Sequence, residues 1–392
     1  MAVRTVRRVR TAILGSVLAG AVIATAFVAP ASAQQAQSTG QVHPTGHRAT
    51  QQAMDATVAS GVPGVIGVAE DRRGRWTGEA GVADTRTGRE RQAQDTFRVG
   101  SITKTFISTV LLQLEAEGRL SLDDSVDKWL PGLVRGNGND GRAITLRQLL
   151  NHTSGIYNYT ADPDFRKLVF SPGFLQHRYD TWTPERLVGT ALAHRPDFAP
   201  GTRWKYSNTN YILAGMVIQK VTGRSYAQEA ERRILRPLNL RSTSFPGTDA
   251  RMPQPSGRAY STLGGTPGQV YDVTELNPSV GGSAGEVISN SLDLNRFYRA
   301  LLGGKLLPPR QLAEMKTTVS SDEIPDSSYG LGLMKVRLSC GTEVWGHSGG
   351  IHGSSSEAVV TKDAKHSLAF NFNGDWVGDS AKVTEAEFCG AK

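Results

Sequence analysis

The chain has 392 residues and a mass of 42.2 kDa, enough to bury one large hydrophobic core or two smaller ones that share an interface. Its formal net charge is +8, from 44 Lys and Arg against 36 Asp and Glu. No basic run with interleaved aromatic residues accompanies this charge, which argues against nucleic acid as a partner. The eight histidines are scattered and neither cysteine has zinc-ligand spacing, so we expect no metal site and no cofactor.

Residues 1–33 are predicted to be a secretory signal. Four arginines precede an apolar run from Ala12 to Val28, and Ala31-Ser-Ala33 is a small-residue cleavage site. The run is short for a membrane span and ends at Pro30, so an uncleaved anchor is the less favoured alternative. Cleavage removes the four arginines and leaves a net charge of about +4. The mature protein is therefore expected to be secreted to the extracellular cell envelope, without a stable membrane span.

The predicted elements follow in chain order. Residues 34–50 are rich in Gln, Ser, Gly and Thr, which predicts a disordered leader, and one folded domain is predicted over 51–390. The predicted helices cover 51–60, 146–150, 183–193, 211–221, 226–234 and 379–388, and a further helix follows residue 100. The predicted strands cover 64–70, 75–82, 96–99, 342–346, 356–361 and 367–373, with Gly-rich or Gly/Pro-rich loops over 136–142 and 246–278.

Strands at both ends with helices between them predict an α+β fold. We expect an antiparallel sheet flanked by helices and built from both chain ends, about residues 51–99 and 283–390. A mostly helical region, about residues 100–282, is inserted between them. Cys340 and Cys389 are the only cysteines of an exported chain, which predicts a disulfide that ties the last helix to the core.

Ser101-Ile-Thr-Lys104 is the most informative motif. The serine and lysine are three residues apart at the start of a helical pattern, so they share one helical face. Burial disfavours a lysine ammonium, and the neutral amine can accept the proton that Ser101 loses when it attacks a carbonyl. Taken alone, the motif also fits a capping serine before a surface lysine. The buried stripe of this helix is predicted to be Phe106, Ile107, Val110, Leu111 and Leu114, with Gly118 as its stop.

Two further motifs, Tyr206-Ser-Asn208 and His347-Ser-Gly349, occur in order after the first. A bland interpretation of the former is that Ser207 or Asn208 is only a helix N-cap. His152 is predicted to be structural and hydrogen-bonded within its own Thr-Ser-Gly turn. The remaining histidines considered are predicted to be surface or packing residues: His177, His194, His352 and His366.

A rival hypothesis comes from two Gly-x-Ser-x-Gly sequences, 281–285 and 346–350, which match the nucleophile elbow of α/β-hydrolases. That elbow needs a strand before the serine and a helix directly after it. Residues 349–355 lead into another strand, and the helix after Ser283 begins too late. Ser348 and Ser283 are therefore rejected as nucleophiles.

The three motifs in this order resemble the serine penicillin-binding and β-lactamase superfamily, and specifically its D-alanyl-D-alanine carboxypeptidase and class C β-lactamase branch. The resemblance extends over nearly all the mature chain and implies a β-lactamase/transpeptidase-like fold. Tyr-x-Asn combined with His-x-Gly points to the soluble carboxypeptidase type. Further matching segments are Leu149–Gly155, Ser283-Ala-Gly285, Tyr329–Gly332 and the cysteine before His347.

The resemblance implies that Ser101 is the acylated nucleophile, that Lys104 assists its deprotonation and that Tyr206 relays a proton to the leaving amine. Asn208 would hold the substrate amide and orient Lys104. The backbone N–H groups of Ser101 and Gly350 would form the oxyanion hole. The substrate-binding residues implied on the last motif are His347, Ser348 and Gly349.

Two departures from the family pattern affect substrate identity. Ser348 and Gly350 stand where relatives often have threonine, so one hydroxyl near the substrate carboxylate is lost. The arginine that carboxypeptidases tend to carry on the preceding strand has no clear counterpart among Met334, Lys335 and Arg337. The base for acylation, Lys104 or Tyr206, stays open.

The function implied is a secreted, penicillin-binding serine-type D-Ala-D-Ala carboxypeptidase, a monomer that acts on peptidoglycan stem peptides without a cofactor. A β-lactamase or esterase of the same fold is the first alternative, because the sequence does not report how fast water removes the acyl group. From another class, a catalytically silent cell-wall-binding module would keep the fold without the chemistry.

Overall fold

The computed structural model describes residues 45–321 and 326–390. The predicted signal and most of the predicted leader lie outside these residues. The boundary of the leader was placed too late, because a 3₁₀ turn over Thr45–His47 leads into a helix that begins at Arg48. His47 and Thr50 both hydrogen-bond Glu387 at the other end of the chain, so residues 45–50 belong to the folded part.

The centre of the fold is a nine-stranded antiparallel sheet, and six further short strands form three two-stranded sheets in the described residues. The strands are β1 (Gly64–Asp71), β2 (Gly74–Asp84), β3 (Arg89–Glu90), β4 (Phe97–Arg98), β5 (Arg135–Gly136), β6 (Asn139–Asp140), β7 (Tyr260–Ser261), β8 (Tyr271–Asp272), β9 (Ile288–Ser289), β10 (Val319–Ser320), β11 (Ser327–Tyr329), β12 (Met334–Arg337), β13 (Glu343–Ile351), β14 (Ser354–Thr361) and β15 (Ser367–Phe372). The sheet order is β10-β11-β12-β13-β14-β15-β1-β2-β3. Val65 of β1 lies between Phe372 of β15 and Ala80 of β2, so the last strand pairs with the first.

Helices cover both faces of this sheet. They are α1 (Arg48–Ala59), α2 (Thr103–Ala116), α3 (Val126–Trp129), α4 (Leu146–Leu150), α5 (Pro163–Val169), α6 (Phe174–His177), α7 (Pro184–Leu192), α8 (Asn208–Thr222), α9 (Tyr226–Ala230), α10 (Arg236–Leu238), α11 (Ser291–Leu302), α12 (Pro309–Met315) and α13 (Ser380–Cys389). The terminal helices α1 and α13 pack against each other on one face, while α11 packs on β1, β14 and β15. The predicted fold class, an antiparallel sheet with an inserted helical region, is confirmed.

Helix α2 is buried on all sides rather than along one stripe. The predicted stripe from Phe106 to Leu114 is at most 1% exposed, and polar residues on the opposite side, including Thr105 and Ser108, are also fully buried. Gly118 follows the helix with a left-handed φ of 69°, as its predicted stop requires. A helix enclosed in this way holds its first turn in a water-poor environment.

Some predicted boundaries were wrong. The loop predicted over 136–142 contains a small hairpin of β5 and β6, and the long loop over 246–278 contains β7 and β8. Strand β13 does not end at Gly346 but continues to Ile351 and includes the His347 motif. A disulfide joins Cys340 to Cys389 and so links the segment before β13 to α13. Within the described ranges, no helix has the length and apolar character that a membrane crossing needs.

Candidate active site

Ser101 and Lys104 lie at the start of α2. Ser101 belongs to a 3₁₀ turn, Gly100–Ile102, that runs directly into the helix, and Lys104 is in the first helical turn. Lys104 Nζ lies 2.9 Å from Ser101 Oγ, as the i, i+3 spacing predicts. The lysine is fully buried, so the alternative of a surface lysine is excluded.

The surroundings of Lys104 favour a neutral amine. Nζ donates to Asn208 Oδ1 at 2.8 Å and to the Ala284 carbonyl at 2.7 Å, and the lysine forms no ion pair with any described carboxylate. Burial without a counter-charge holds the pKa of Lys104 well below its ordinary value. A neutral amine has two N–H groups, which these two oxygens accept, and one lone pair. That lone pair is left for the Ser101 hydroxyl proton.

The start of α8 brings the second motif to the lysine. Ser207 occupies the N-cap position, but its side chain does not cap the helix. The Asn208 side chain accepts from Lys104 instead, while the Asn208 backbone N–H donates to Asn158 Oδ1. The bland interpretation, in which the motif only starts a helix, therefore does not account for the Asn208 side chain.

Tyr206 faces the same cluster. Its hydroxyl is buried and has no protein partner with hydrogen-bond geometry, and Lys104 Nζ lies 4.9 Å from the centre of its ring. Burial raises the pKa of Tyr206 above its ordinary value, and the nearby Ser101 hydroxyl opposes this rise. The phenol is therefore protonated at neutral pH, so it is a proton donor beside the serine and lysine.

His347 enters the cluster from β13. Burial, together with the charge of a protonated Lys104, lowers the pKa of His347 to about 3, so the imidazole is neutral near pH 7. Its Nδ1 donates to the Ser348 carbonyl, which leaves Nε2 to accept from the Tyr329 hydroxyl at 2.8 Å. The neighbouring Ser348 is exposed, and its Oγ lies 4.0 Å from Met334 Sδ.

The backbones around Ser101 and β13 approach closely. A Cβ placed on Gly100 would lie 2.8 Å from the Gly350 nitrogen, and one on Gly349 would lie 2.8 Å from the Ser101 nitrogen. Real side chains do not fit at such distances, so both positions need glycine. The backbone at Gly100 and Ser101 therefore lies directly against the backbone at Gly349 and Gly350.

A cavity of about 120 Å³ opens at Ser101, and most of its wall is apolar or aromatic. Its largest side chains are Tyr159, Phe165, Phe170, Ile351 and His352. Sequence analysis missed the three aromatic residues of the segment 159–170, because their helical periodicity is also that of ordinary core positions. Ser348 is not among the residues of this wall, and it lines a different cavity of about 340 Å³ with Met334 and Arg337.

The interpretation of His152 was wrong in one respect. Only its backbone N–H bonds within its own turn, to the Leu149 carbonyl, whereas its Nδ1 accepts from the Ser207 backbone N–H and from Asn210 Nδ2, more than 50 residues along the chain. Its ring lies 4.2 Å from that of Tyr206, centre to centre. Burial is the main cause that lowers the pKa of His152, so this imidazole is also neutral and braces the turn that carries Tyr206.

The other histidines are distributed as packing or surface groups, some with acidic partners. His352 stacks between Phe170 and Phe174, whereas His177 and His194 bind Asp180 and Asp162 respectively. His366 binds Glu387. Within residues 45–321 and 326–390, no group of three or more His, Cys, Asp or Glu side chains is arranged to hold a metal ion.

A family model described as beta-lactamase matches residues 48–387, nearly the whole described chain. The chain belongs to the beta-lactamase family, and its predicted membership of the wider serine penicillin-binding and β-lactamase superfamily is confirmed. Among curated relatives, putative penicillin-binding protein PbpX of Bacillus subtilis is 29% identical over 64% of this chain and 57% of the relative. Penicillin-binding protein 4* of the same species is 27% identical over 75% and 64%. The chain thus spans less than two thirds of these relatives.

Solved structures match over a larger share of both chains. A D-stereospecific amidohydrolase from a Streptomyces species is 64% identical, with a TM-score of 0.84, and the match covers 88% of this chain and 99% of that one. A D-amino acid amidase from Ochrobactrum anthropi SV3, solved with L-phenylalanine amide, is 28% identical, with a TM-score of 0.75 and coverage of 86% and 97%.

Proposed function

We propose that the protein is a secreted serine amidohydrolase that cleaves an amide bond at the carbonyl of a D-configured residue through an acyl-enzyme. The observation that carries the proposal is the buried amine of Lys104, which has two acceptors for its N–H groups and a lone pair beside Ser101. The D-configuration is supported by the 64% identity to the Streptomyces amidohydrolase.

In the acylation step, Ser101 Oγ attacks the substrate carbonyl carbon while its proton passes to Lys104 Nζ. The backbone N–H groups of Ser101 and Gly350 stabilise the negative charge that develops on the carbonyl oxygen. Tyr206 passes a proton to the leaving nitrogen, and the C–N bond breaks. The Lys104 ammonium then gives its proton to the Tyr206 phenolate, which restores both groups. Water attacks the ester carbonyl as its proton passes to Lys104, and Lys104 gives that proton to Ser101 Oγ as the acid leaves.

The walls of the Ser101 cavity favour an amide over a carboxypeptidase substrate. A substrate that ends in D-alanine carries a carboxylate on its leaving group, which needs a cation. No Lys or Arg occurs among the described residues that line this cavity or the adjoining cavity of about 440 Å³ at Gly350, and Arg337 lines the separate cavity of about 340 Å³ beside His347 and Ser348. Tyr159, Phe165 and Phe170 suit an apolar side chain on the D-residue instead. Carboxypeptidase action on stem peptides is therefore the second, narrower hypothesis, supported by the relatedness to penicillin-binding proteins.

The test compares kcat/KM for D-phenylalanine amide, L-phenylalanine amide and a peptide that ends in D-Ala-D-Ala. We expect the D-amide to be the best of the three and Ser101→Ala to abolish its hydrolysis. A higher kcat/KM for the D-Ala-D-Ala peptide would replace the amidase proposal with the carboxypeptidase. Equal rates for the two amides would contradict D-selectivity.

Mass spectrometry after brief exposure to penicillin separates the remaining alternatives. A stable adduct on the peptide that contains Ser101 is expected from the acyl-enzyme chemistry. An adduct that is hydrolysed within seconds would indicate a β-lactamase. If neither the amides nor penicillin reacted, the silent binding module would be the better hypothesis.

A further inference from the structure

Beside the strand that leads to the nucleophile lies a small second cavity, which the proposed chemistry does not use. Its volume is about 20 Å³, and it lies between β4, the start of β14 and the loop before β7. Three arginines line it, Arg91, Arg98 and Arg258, and none of its described lining residues is acidic. Arg258 is already paired with Asp84 and Asp272, so Arg91 and Arg98 are the residues of this wall that favour negative charge.

Arg98 is a buried cation without a counter-ion. It is 3% exposed, and its Nη2 donates to the carbonyls of Ala250 and Leu276. Its Nε and Nη1 are buried and have no hydrogen-bond partner in the described part of the chain. The carboxylates that attract it, Asp249 and Glu286, form no ion pair with it. A buried charge in this condition is costly unless something else neutralises it.

Arg91 is only partly compensated. It is 1% exposed, its Nη2 donates to Asn371 Oδ1 at 2.9 Å, and its Nε has no hydrogen-bond partner. The nearest carboxylate oxygen, on Asp95, lies 3.7 Å from Nε, and Asp95 is held more closely by Arg89 at 3.0 Å. One buried carboxylate is therefore shared between two guanidinium groups, and Arg98 has none.

The unpaired polar atoms of the two arginines are all donors. Arg91 and Arg98 contribute three unpaired donor nitrogens, Arg91 Nε, Arg98 Nε and Arg98 Nη1, and the one unpaired acceptor among the described lining residues is Asn373 Oδ1. Buried polar groups are normally satisfied by protein, water or an ion. A volume of about 20 Å³ exceeds the roughly 10–15 Å³ that one water-sized particle requires, and it is too small for a substrate.

We propose that this cavity is a binding site for a single monatomic anion, chloride in ordinary salt solutions, held between the guanidinium groups of Arg91 and Arg98. The anion accepts from the unpaired N–H groups and neutralises Arg98. An open cavity of about 650 Å³ lies next to the site and shares Met252, Gly257, Arg258 and Thr274 with it.

The bound anion would stabilise the two backbone segments that carry the candidate active site. The Arg98 carbonyl accepts from Ser354 Oγ at 2.7 Å, and Arg98 is only three residues before Ser101. Ser354 opens β14, which pairs Gly350 through Ser355. The site thus joins the segment that leads to the nucleophile with the hairpin that carries the second oxyanion nitrogen.

A bromide soak tests the location directly. Crystals of the full mature protein, grown without halide and soaked in sodium bromide, are expected to show an anomalous difference peak between Arg91 and Arg98. A single water molecule there, with no anomalous signal, would overturn the proposal.

Thermal unfolding tests whether the site is occupied in solution. At constant ionic strength, replacing gluconate by chloride or bromide is expected to raise Tm saturably, because a ligand that binds only the folded state stabilises it. Arg98→Met should lose this rise, whereas Arg251→Met, which removes an exposed arginine from the open cavity, should retain it. A bromide peak without any halide-dependent Tm would mean binding at crystal concentration only, and would also overturn the proposal.

Gly257→Ala covers the case in which Arg98→Met does not fold. A Cβ at this position lies 3.3 Å from Arg91 Nη1 and would narrow the cavity while both arginines stay. We expect this variant to fold and to show a reduced rise of Tm with chloride. An unchanged rise would contradict the site.

Discussion

Two buried ionisable groups, Lys104 and Glu387, are treated in opposite ways by the fold. Glu387 lies where α13 meets α1, and it accepts hydrogen bonds from His366, Thr50 and His47. Burial alone would raise the pKa of Glu387. These bonds instead hold it at about 2, so the carboxylate stays charged. Lys104 is equally buried but has only neutral partners, and its pKa is depressed.

The difference distinguishes a group that stabilises the fold, Glu387, from a group of the candidate active site, Lys104. The scaffold pairs Glu387, and the pairing links the first and last helices. In the candidate active site, no described carboxylate pairs with Lys104. The nearby imidazoles of His152 and His347 are neutral. A lysine with an acidic partner would stay protonated and could not accept the Ser101 proton.

The largest expected effect comes from replacing the amine itself. Lys104→Arg keeps a cation that cannot lose its proton in a protein, so we expect kcat/KM to fall by roughly 10²–10⁴-fold. Lys104→Met, which carries no charge, is the matched control and should be equally inactive but better folded than the arginine variant. Steady-state kinetics and thermal unfolding measure both. Wild-type kcat/KM in Lys104→Arg would show that a neutral amine is not required.

Asn208→Asp would give Lys104 an oppositely charged hydrogen-bond partner, as Glu387 has in a protonated His47. The new carboxylate, 2.8 Å from Nζ in the position of Oδ1, would stabilise the ammonium and raise the pKa of Lys104. We expect the acid limb of the kcat/KM profile to move to higher pH and the value at neutral pH to fall roughly 10-fold or more. Asn208→Leu removes the hydrogen bond without adding charge, so its acid limb should not move upward. If both variants had the same profile, the missing counter-charge would not be the reason for the shifted lysine.

Glu387→Gln should break the paired region and leave the chemistry intact. We expect a loss of about 3 kcal/mol in the free energy of unfolding near pH 5.5, because a buried pair loses one partner. The pKa of Glu387 is depressed, so its stabilising contribution is complete above 4.5 and disappears as pH falls toward 2. Burial lowers the pKa of His47, but the hydrogen bond to Glu387 and the charges of Glu387 and Asp71 together raise it above its ordinary value, so its contribution declines as pH rises through 6.5 and beyond.

Urea denaturation at several pH values measures this loss. Glu343→Gln is the control, because Glu343 forms an exposed pair with Lys335 and should cost less than about 1 kcal/mol. The rate of penicillin acylation should be unchanged in both variants. An equal loss in the two, or none in Glu387→Gln, would contradict the role assigned to the terminal pair.

The smallest expected effect concerns His352, a buried base that does no proton transfer. Burial lowers the pKa of His352 to about 4, so it contributes stability above pH 6.5 that is lost as pH falls toward 4. The slope is about 1.4 kcal/mol per pH unit for one proton. His352→Phe keeps the stacking on Phe170 and Phe174 but cannot be protonated, so its free energy of unfolding should fall less steeply between pH 6 and 4.5. If the free energy of unfolding fell equally steeply with pH in both proteins, the lowered pKa of His352 would be contradicted.

The sequence predicted contacts between residues close together in the chain better than contacts between residues far apart in it. The pair of Ser101 and Lys104 is local, and its spacing alone placed the two groups within reach. His152 was assigned a bond within its own turn, because its true partners at Ser207 and Asn210 are more than 50 residues away. The limits of β13 were misjudged for a similar reason. Gly349 and Gly350 suggested a loop, whereas both lie in the strand, and Gly349 permits its close approach to Ser101.

By itself, the sequence determined that Ser101 and Lys104 share one helical face, the order of the motifs and the class of fold, since these follow from helical spacing and from strands at both ends. Tertiary structure alone decided that the amine is buried without an acidic partner among the described residues, which lowers its pKa. The oxygens of Asn208 and Ala284 come from 104 and 180 residues further along the chain, and they occupy both N–H groups of Lys104 without offering it a charge. The aromatic wall of the Ser101 cavity likewise exists only once helices distant in the chain close around the serine.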